Sequence, residues 1–357
     1  MLLSPERPEV RHCTAHGGGI LNPMQTADRL LGGTMAAYQQ DPDSPPQGEA
    51  AAVYRGFFRD GRHADISPDG REVTTVVTED GTRKFLLGHA DGLETESVIM
   101  PIEGRSGRVR HTLCVSSQVG CAMGCTFCQT AAMGRVRQLS TAEIVAQWHH
   151  ATHSLDTTIT NIVFMGMGEP MDNLDAVLGA IEVLVDHNAA SIAPSRIGVS
   201  TVGHAQGIKR FTRFMQRDGM HQLRLAVSVN AADEHTRQSI MPIARAVPMS
   251  ELMDAMRGWI DSGGRPILIE YVLIPGVNGQ PDAAAELATW LGSLPCRVNI
   301  IPYNPKVDSP WPAPNETSVN RFIDAVAAAG LPVNRRRTIG RSVMAACGQL
   351  GTATHSR

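Results

Sequence analysis

From His111 onward the chain alternates short apolar, β-branched runs with amphipathic stretches. Six runs carry a strand pattern, at residues 112–115, 161–165, 196–201, 223–229, 266–273 and 297–303. Each is apolar along its length rather than alternating, as expected of parallel strands covered on both faces. The stretches between them read as helices. Ser140-Thr-Ala-Glu143 is a capping box that opens a helix running to about residue 153. Leu174, Val177, Leu178, Ile181, Leu184 and Val185 share one helical face, with Asn173 as the expected N-cap. Val319, Phe322, Ile323 and Val326 repeat that spacing, and Gly330 ends the helix before Pro332. Strand–helix units joined by right-handed crossovers predict an α/β fold, a partial parallel (β/α)6 barrel. Chemistry in such a fold gathers at the C-terminal ends of the strands.

Upstream the pattern differs. Residues 1–50 are broken by Gly17-Gly18-Gly19, Gly32-Gly33 and Asp41-Pro-Asp-Ser-Pro-Pro-Gln-Gly48, which is loop chemistry with room for one short helix near residues 24–38. Residues 51–106 hold β-prone runs, Val73-Thr-Thr-Val-Val77, Lys84-Phe-Leu-Leu87 and Ser97-Val-Ile-Met100, separated by Asp80-Gly81 and Asp91-Gly92 hairpin signals. The expected organisation is an irregular segment over 1–50, a small antiparallel β-rich unit over 51–106, the barrel over 107–342 and a C-terminal segment over 343–357.

Composition narrows the class. With 42% hydrophobic and 19% charged residues, the 357-residue chain has material for a large core and does not read as disordered. No apolar run reaches the roughly 18 residues that span a bilayer, and the N-terminus lacks a signal-peptide core, so no membrane association and a cytoplasmic location are expected. The net charge of −3 lends no support to nucleic-acid binding. Two local basic stretches stand against it: Arg105, Arg108 and Arg110, and then Arg335, Arg336, Arg337 and Arg341. Either reads as a solvated surface on its own.

The seven cysteines are an odd count and do not suggest a disulfide framework. Cys13 and Cys296 stand alone and read as small buried side chains. Cys121-Ala-Met-Gly-Cys125-Thr-Phe-Cys128 follows the first barrel strand, and Gly166-Met-Gly-Glu-Pro170 follows the second. A zinc site usually needs four ligands in paired spacing, and a fully ligated cubane needs four thiolates. Three thiolates leave one iron of a 4Fe-4S cluster open, and S-adenosylmethionine (SAM) can fill that position with its amino and carboxylate groups. One electron can then break the sulfonium bond. Gly120 and Gly124 suit a loop that wraps closely round a cluster. The competing reading is a zinc knuckle completed by His111 or another distant ligand.

The motifs together resemble the RlmN/Cfr family of radical SAM RNA adenine methyltransferases. The resemblance is carried by residues 112–128, by Asn161-Ile-Val-Phe-Met-Gly-Met-Gly-Glu-Pro-Met-Asp-Asn173, by Val199-Ser-Thr-Val-Gly203, by Asn299-Ile-Ile-Pro-Tyr-Asn-Pro305 and by Ala345-Ala-Cys-Gly-Gln-Leu350. It implies a radical SAM barrel that binds a 4Fe-4S cluster through Cys121, Cys125 and Cys128. It also implies two molecules of SAM per turnover, with contacts at Gly168, Glu169, Ser200, Ser228, Val229, Asn230 and Asn304. It further implies an RNA substrate (ribosomal or transfer RNA) and a one-electron donor such as flavodoxin. In the implied chemistry Cys347 carries the methyl group as S-methylcysteine. Cys114 resolves the RNA adduct through a transient disulfide with Cys347, and Glu96, in Glu96-Ser-Val-Ile-Met-Pro101, accepts the ring proton. C2 of adenine is expected ahead of C8. Methylation of Cys347 needs its thiolate, which cations such as Arg337 and Arg341, nearby in sequence, would favour.

Three features depart from the family pattern. Ser228-Val-Asn230 stands where the family has Ser-Leu-His. Gly340-Arg-Ser-Val-Met344 lacks the acidic residues usual before the C-terminal cysteine. Residues 1–60 show no match to the family's N-terminal helical domain. Two rival readings follow: the same radical core acting on another RNA position or a non-RNA substrate, and a non-catalytic zinc-bearing RNA-binding module.

Overall fold

The structure, a computed structural model, describes residues 23–61, 74–77, 81–104, 107–336, 340 and 344–351. Cys13, the Gly17–Gly19 triplet, Arg105, Arg337 and Arg341 lie outside the described residues. In chain order the elements are α1 (Pro23–Leu31), α2 (Met35–Gln40), α3 (Gln47–Asp60), β1 (Thr74–Val77), β2 (Arg83–Gly88), β3 (Glu94–Glu103), β4 (Val109–Cys114), β5 (Gln118–Gly120), α4 (Gln129–Ala132), β6 (Arg135–Gln138), α5 (Thr141–His149), β7 (Ile159–Phe164), α6 (Leu174–Val185), β8 (Ile197–Thr201), α7 (Ala205–Met215), β9 (Arg224–Ser228), α8 (Glu234–Ile240), α9 (Met249–Asp261), β10 (Ile267–Leu273), α10 (Pro281–Leu291), β11 (Cys296–Pro302), α11 (Glu316–Ala328) and β12 (Val333–Arg335).

All six expected barrel strands form, as β4, β7, β8, β9, β10 and β11, and they pair in that order as a parallel sheet. β12 adds a further parallel strand at the end. Ile162, Val199, Leu225, Val227, Ile269, Val298 and Ile300 are fully or almost fully buried, which is why these strands read as apolar runs. Helices α5, α6, α7, α9, α10 and α11 follow successive strands; α5 packs beside α6, α6 beside α7, α7 beside α9 and α10 beside α11, giving the incomplete barrel.

The β-rich stretch is not a separate unit. β1, β2 and β3 pair antiparallel and join β4, so one ten-stranded sheet runs β1-β2-β3-β4-β7-β8-β9-β10-β11-β12. The sheet therefore changes from antiparallel to parallel at β4, one strand before the parallel series continues in β7.

Two expectations are corrected. Where one short helix was expected in the irregular segment to residue 50, α1, α2 and the start of α3 form, and residues 51–60, expected in the β-rich unit, complete α3. Ala50, Ala51, Tyr54, Phe57 and Phe58 of α3 are buried, at helical spacing. The Phe57 ring stacks on His149 of α5 at 4.2 Å, and His149 Nε2 donates to Phe57 O at 3.1 Å. Burial holds that imidazole neutral, its pKa lowered to about 3. Asn173, the expected N-cap of α6, makes no capping bond. Its Nδ2 instead donates to Ser117 O at 2.8 Å and to Leu139 O at 2.7 Å, tying the turn after β7 to the cysteine loop.

Candidate active site

The cysteine loop leaves β4 through Val115-Ser-Ser-Gln-Val-Gly120, and buried amides fix its start. Gln147 Oε1 accepts from Ser97 Oγ and Ser116 N, both at 2.7 Å, while its Nε2 donates to Ser116 O at 2.9 Å. Gln118 Oε1 accepts from Glu169 N at 2.8 Å, which joins the cysteine loop to the Gly166–Pro170 turn. Gly168 has φ +98, and a Cβ there would lie 2.5 Å from Gln118 Cβ, so this turn needs glycine on both counts.

Cys121, Cys125 and Cys128 border one inner cavity of about 150 Å³, together with Gly168, Glu169, Ser200, Ser228 and Tyr303. Burial pushes the Cys121 thiol up to about 12, and nearby Cys128 adds to it. Cys125 is raised well above its usual range by burial, then by Cys128 and Cys121. As neutral thiols Cys121 and Cys125 can be buried; as thiolates they need a cation or metal centre. Among the described residues, no three His, Cys, Asp or Glu side chains converge as ligands of a single ion. His111, the candidate fourth zinc ligand, lies in the middle of β4 and does not border this cavity. Thiols spaced round a cavity fit a multi-iron cluster better than a zinc knuckle.

Two carboxylates border this cavity, Glu169 and Glu270, and Glu169 follows the glycine turn. It is 2% exposed, and its oxygens accept from Met171 N at 3.0 Å and Val202 N at 2.9 Å. Burial nevertheless raises its pKa to about 7, against those bonds. A buried carboxylate held this way favours a cationic ligand group, such as the ammonium of SAM. Asn304 is buried next to the second cavity, its Oδ1 without a partner among the described residues while Nδ2 donates to Cys347 O at 3.4 Å. A buried carboxylate and three thiols round the inner cavity, with the orphaned Asn304 acceptor at the neighbouring one, fit an iron–sulfur cluster with SAM beside it.

Val229 and Asn230 do not border either cavity. Val229 is fully buried, and the Asn230 side chain is used inside the protein: Oδ1 accepts from Val272 N at 2.8 Å and Nδ2 meets Met241 Sδ at 3.1 Å. Asn230 has φ +60, a left-handed conformation that asparagine tolerates. These two residues shape the wall behind Ser228.

The outer cavity, about 560 Å³, is bordered by Cys114, Val98, Met100, Ile102, Thr112 and the C-terminal segment. Residues 344–351 are strapped across the strand ends. Gln129 N donates to Gly348 O at 2.7 Å, Thr130 Oγ1 to Leu350 O at 2.7 Å and Gln349 Nε2 to Pro305 O at 3.0 Å. The strap puts Cys347 on the border of both cavities. Cys114 and Cys347 are both free thiols. Burial pushes Cys114 up to about 12, with Cys347 the next contribution and Arg336 opposing it.

Arg336 is the site residue that sequence reasoning missed. It too borders both cavities, and its Nη1 stands 3.4 Å from Glu270 Oε2 and 3.2 Å from Met165 Sδ. Its positive charge is favoured first by Cys347, then by Glu270 and Cys114. Sequence reasoning named Arg337 and Arg341 as the cations near Cys347; both lie outside the described residues, and among those described Arg336 stands near Cys347. One arginine among several gave no signal, although β12 pairing with β11 aims residue 336 inward through Arg336 N donating to Ile300 O at 2.8 Å.

Glu96 lies apart from both cavities. It is 4% exposed on β3, with Oε2 3.4 Å from Lys84 Nζ and accepting from Gly351 N at 3.1 Å. The structure brings it against the C-terminal strap rather than to the cavity surface.

Residues 115–288 match the Radical SAM superfamily model. The chain is 40% identical over 274 residues to a probable dual-specificity RNA methyltransferase RlmN of Akkermansia muciniphila, covering 76% of this chain and 75% of the relative. It is 35% identical over 320 residues to a probable RlmN 1 of Protochlamydia amoebophila, covering 85% and 87%. A crystal structure of a radical SAM methyltransferase from Sphaerobacter thermophilus superposes with a TM-score of 0.81 at 36% identity, over 90% of this chain and 98% of that one.

Proposed function

The chain belongs to the RlmN family of radical SAM methyltransferases, and from that premise we propose that it methylates a ring carbon of adenine in RNA, C2 ahead of C8, with Cys347 as the methyl carrier. The observation that carries this reading is the position of Cys347 on the border between the cysteine-loop cavity and the outer cavity that holds Cys114.

When bound, the cluster and SAM supply an electron, a radical and the methyl group, two molecules of SAM being consumed per turnover. Cys121, Cys125 and Cys128 hold the cluster. Gly168, Glu169, Ser200 and Ser228 hold SAM from the inner cavity, with Asn304 Oδ1 an acceptor at the outer one. Arg336 places a guanidinium near Cys347, the sulfur that takes the methyl. The methyl carbon on Cys347 would give up a hydrogen atom to the radical that bound SAM supplies, and the carbon radical left on Cys347 would bond to the adenine ring carbon, which holds the base covalently to the chain. Once the adduct has given its odd electron to a one-electron acceptor and its ring proton to a base, the Cys114 thiolate attacks the Cys347 sulfur; the disulfide forms as the carbon–sulfur bond breaks, its electron pair stays on the methylene carbon, and that carbon takes up a proton to release the methylated base. Glu96 accepts the ring proton. Its carboxylate now bonds to Gly351 N, so the strap must shift before Glu96 meets the base.

The test is nucleoside mass spectrometry of RNA incubated anaerobically with reconstituted enzyme and SAM. Wild-type protein yields a ring-methylated adenosine, Cys347→Ala yields none, and Cys114→Ala accumulates an RNA–protein adduct. Full methylation by Cys347→Ala would overturn the mechanism. Unmodified RNA from active wild-type enzyme would point to a different substrate.

A further inference from the structure

The two strands beside the outer cavity continue beyond it. On β3 and β4 the ladder pairs Val98 with Cys114, Met100 with Thr112 and Ile102 with Arg110. Side chains two residues apart share a strand face, so these six form one surface. Five of them border the outer cavity, and Arg110 is the sixth, beyond its rim. The surface is buried at Val98 and Cys114 and opens outward until Ile102 is 42% exposed and Arg110 lies fully in the exposed class. The other face of the same hairpin behaves differently: Ile99 and Leu113, also a ladder pair, are fully buried in the main core.

The charges at this rim are not equivalent. Arg335, on the opposite rim, is occupied by Glu316, with contacts of 2.5 and 2.7 Å. Arg108 and Arg110 have no ion pair among the described residues. The chain as a whole carries −3, so two uncommitted guanidiniums beside an apolar ramp are a local exception.

We propose that this face of the β3–β4 hairpin is the entrance along which an unpaired nucleotide of RNA reaches Cys347. The inference rests on the RNA methyltransferase reading above. Arg110 and Arg108 contact the phosphates flanking the target nucleotide, which is what fixes register on a nucleic acid. Ile102 and Met100 form an apolar platform for the plane of the base. A cavity of about 560 Å³ admits a base and not a duplex, so the nucleotide enters unstacked.

The test is the affinity of a labelled RNA hairpin with unpaired adenines for cluster-loaded full-length enzyme, measured by fluorescence polarisation across a salt series. Arg110→Glu weakens binding about ten-fold or more, and Arg110→Ala flattens the slope of log affinity against log salt by about 0.7. Arg110→Lys keeps most of the affinity. Arg213→Glu, an exposed charge reversal on α7, binds as wild type does. Because Arg110 is exposed, these variants fold. Wild-type affinity and salt slope in Arg110→Glu would overturn the entrance. Failure of the wild-type enzyme to bind RNA at all would contradict the RNA reading itself and remove the entrance with it.

Discussion

At the scale of single residues, charge and burial set the chemistry. Glu169 has a folded pKa raised to about 7 by burial. A raised carboxyl pKa favours the protonated folded form, so its stabilising effect is complete below the unfolded value and is lost as pH rises to about 7. Ligand-free protein therefore loses on the order of 3 kcal/mol of stability between pH ~4.5 and ~7 through this group. The loss is absent in Glu169→Gln, and thermal melts of both proteins across that range check it. SAM, whose ammonium compensates the charge, binds more tightly on the alkaline side. Arg336 makes the second residue-scale prediction. Arg336→Met slows alkylation of Cys347 roughly ten-fold at neutral pH, as followed by peptide mass spectrometry. Arg336→Lys recovers part of that rate. Unchanged alkylation in Arg336→Met would remove the guanidinium from the account. The sequence pattern drew attention to the cysteines because their spacing is rare. It could not single out Arg336, because an arginine's partners depend on strand pairing and not on its neighbours along the chain.

At the scale of elements, local sequence and tertiary packing part company. The capping box of α5 was legible, and it is present: Ser140 Oγ accepts from Glu143 N at 3.2 Å, and Ser140 N donates to Glu143 Oε2 at 2.7 Å. Ser140→Ala should cost about 1 kcal/mol of stability with methylation intact, a shift that denaturant titration resolves. α3 was not legible as a helix: its start falls in the segment expected to be irregular and the rest in the expected β-rich unit, although Ala50, Tyr54, Phe57 and Phe58 stand at helical spacing. Asn173 was misread because an asparagine before a helix is more often a cap than a clamp between loops. The C-terminal strap is the element on which function depends. Gly351 has φ +99, and a Cβ there would lie 2.5 Å from Met133 Sδ. Gly351→Ala should cost about 1–3 kcal/mol locally. It should loosen the strap and lower methylation while the protein still binds iron, a combination that iron analysis and the nucleoside assay can separate.

At the scale of the whole molecule, one twisted sheet carries the entire design. Its parallel half was legible because buried parallel strands are apolar runs, and its antiparallel half because Asp-Gly turns mark hairpins. That the two halves are one sheet was not legible: they are joined by the pairing of β3 with β4, and residues 51–106 read along the chain as a unit apart from the barrel. The sheet puts the cysteine loop, the Glu169 turn and the C-terminal strap at one end although they are far apart along the chain. Among the described residues no helix is long and apolar enough to cross a membrane. Anaerobically prepared protein should contain iron and sulfide in near-equal amounts; stoichiometric zinc without iron would instead support the zinc-module reading. The central claim is that the methyl group travels through Cys347. Its most direct test is a single turnover with SAM deuterated in the methyl group, followed by mass spectrometry of both the Cys347 peptide and the RNA nucleosides. The account predicts label on Cys347 first, and then on adenine with one deuterium missing from the methyl group. A fully deuterated methyl on adenine, with Cys347 never labelled, would contradict it.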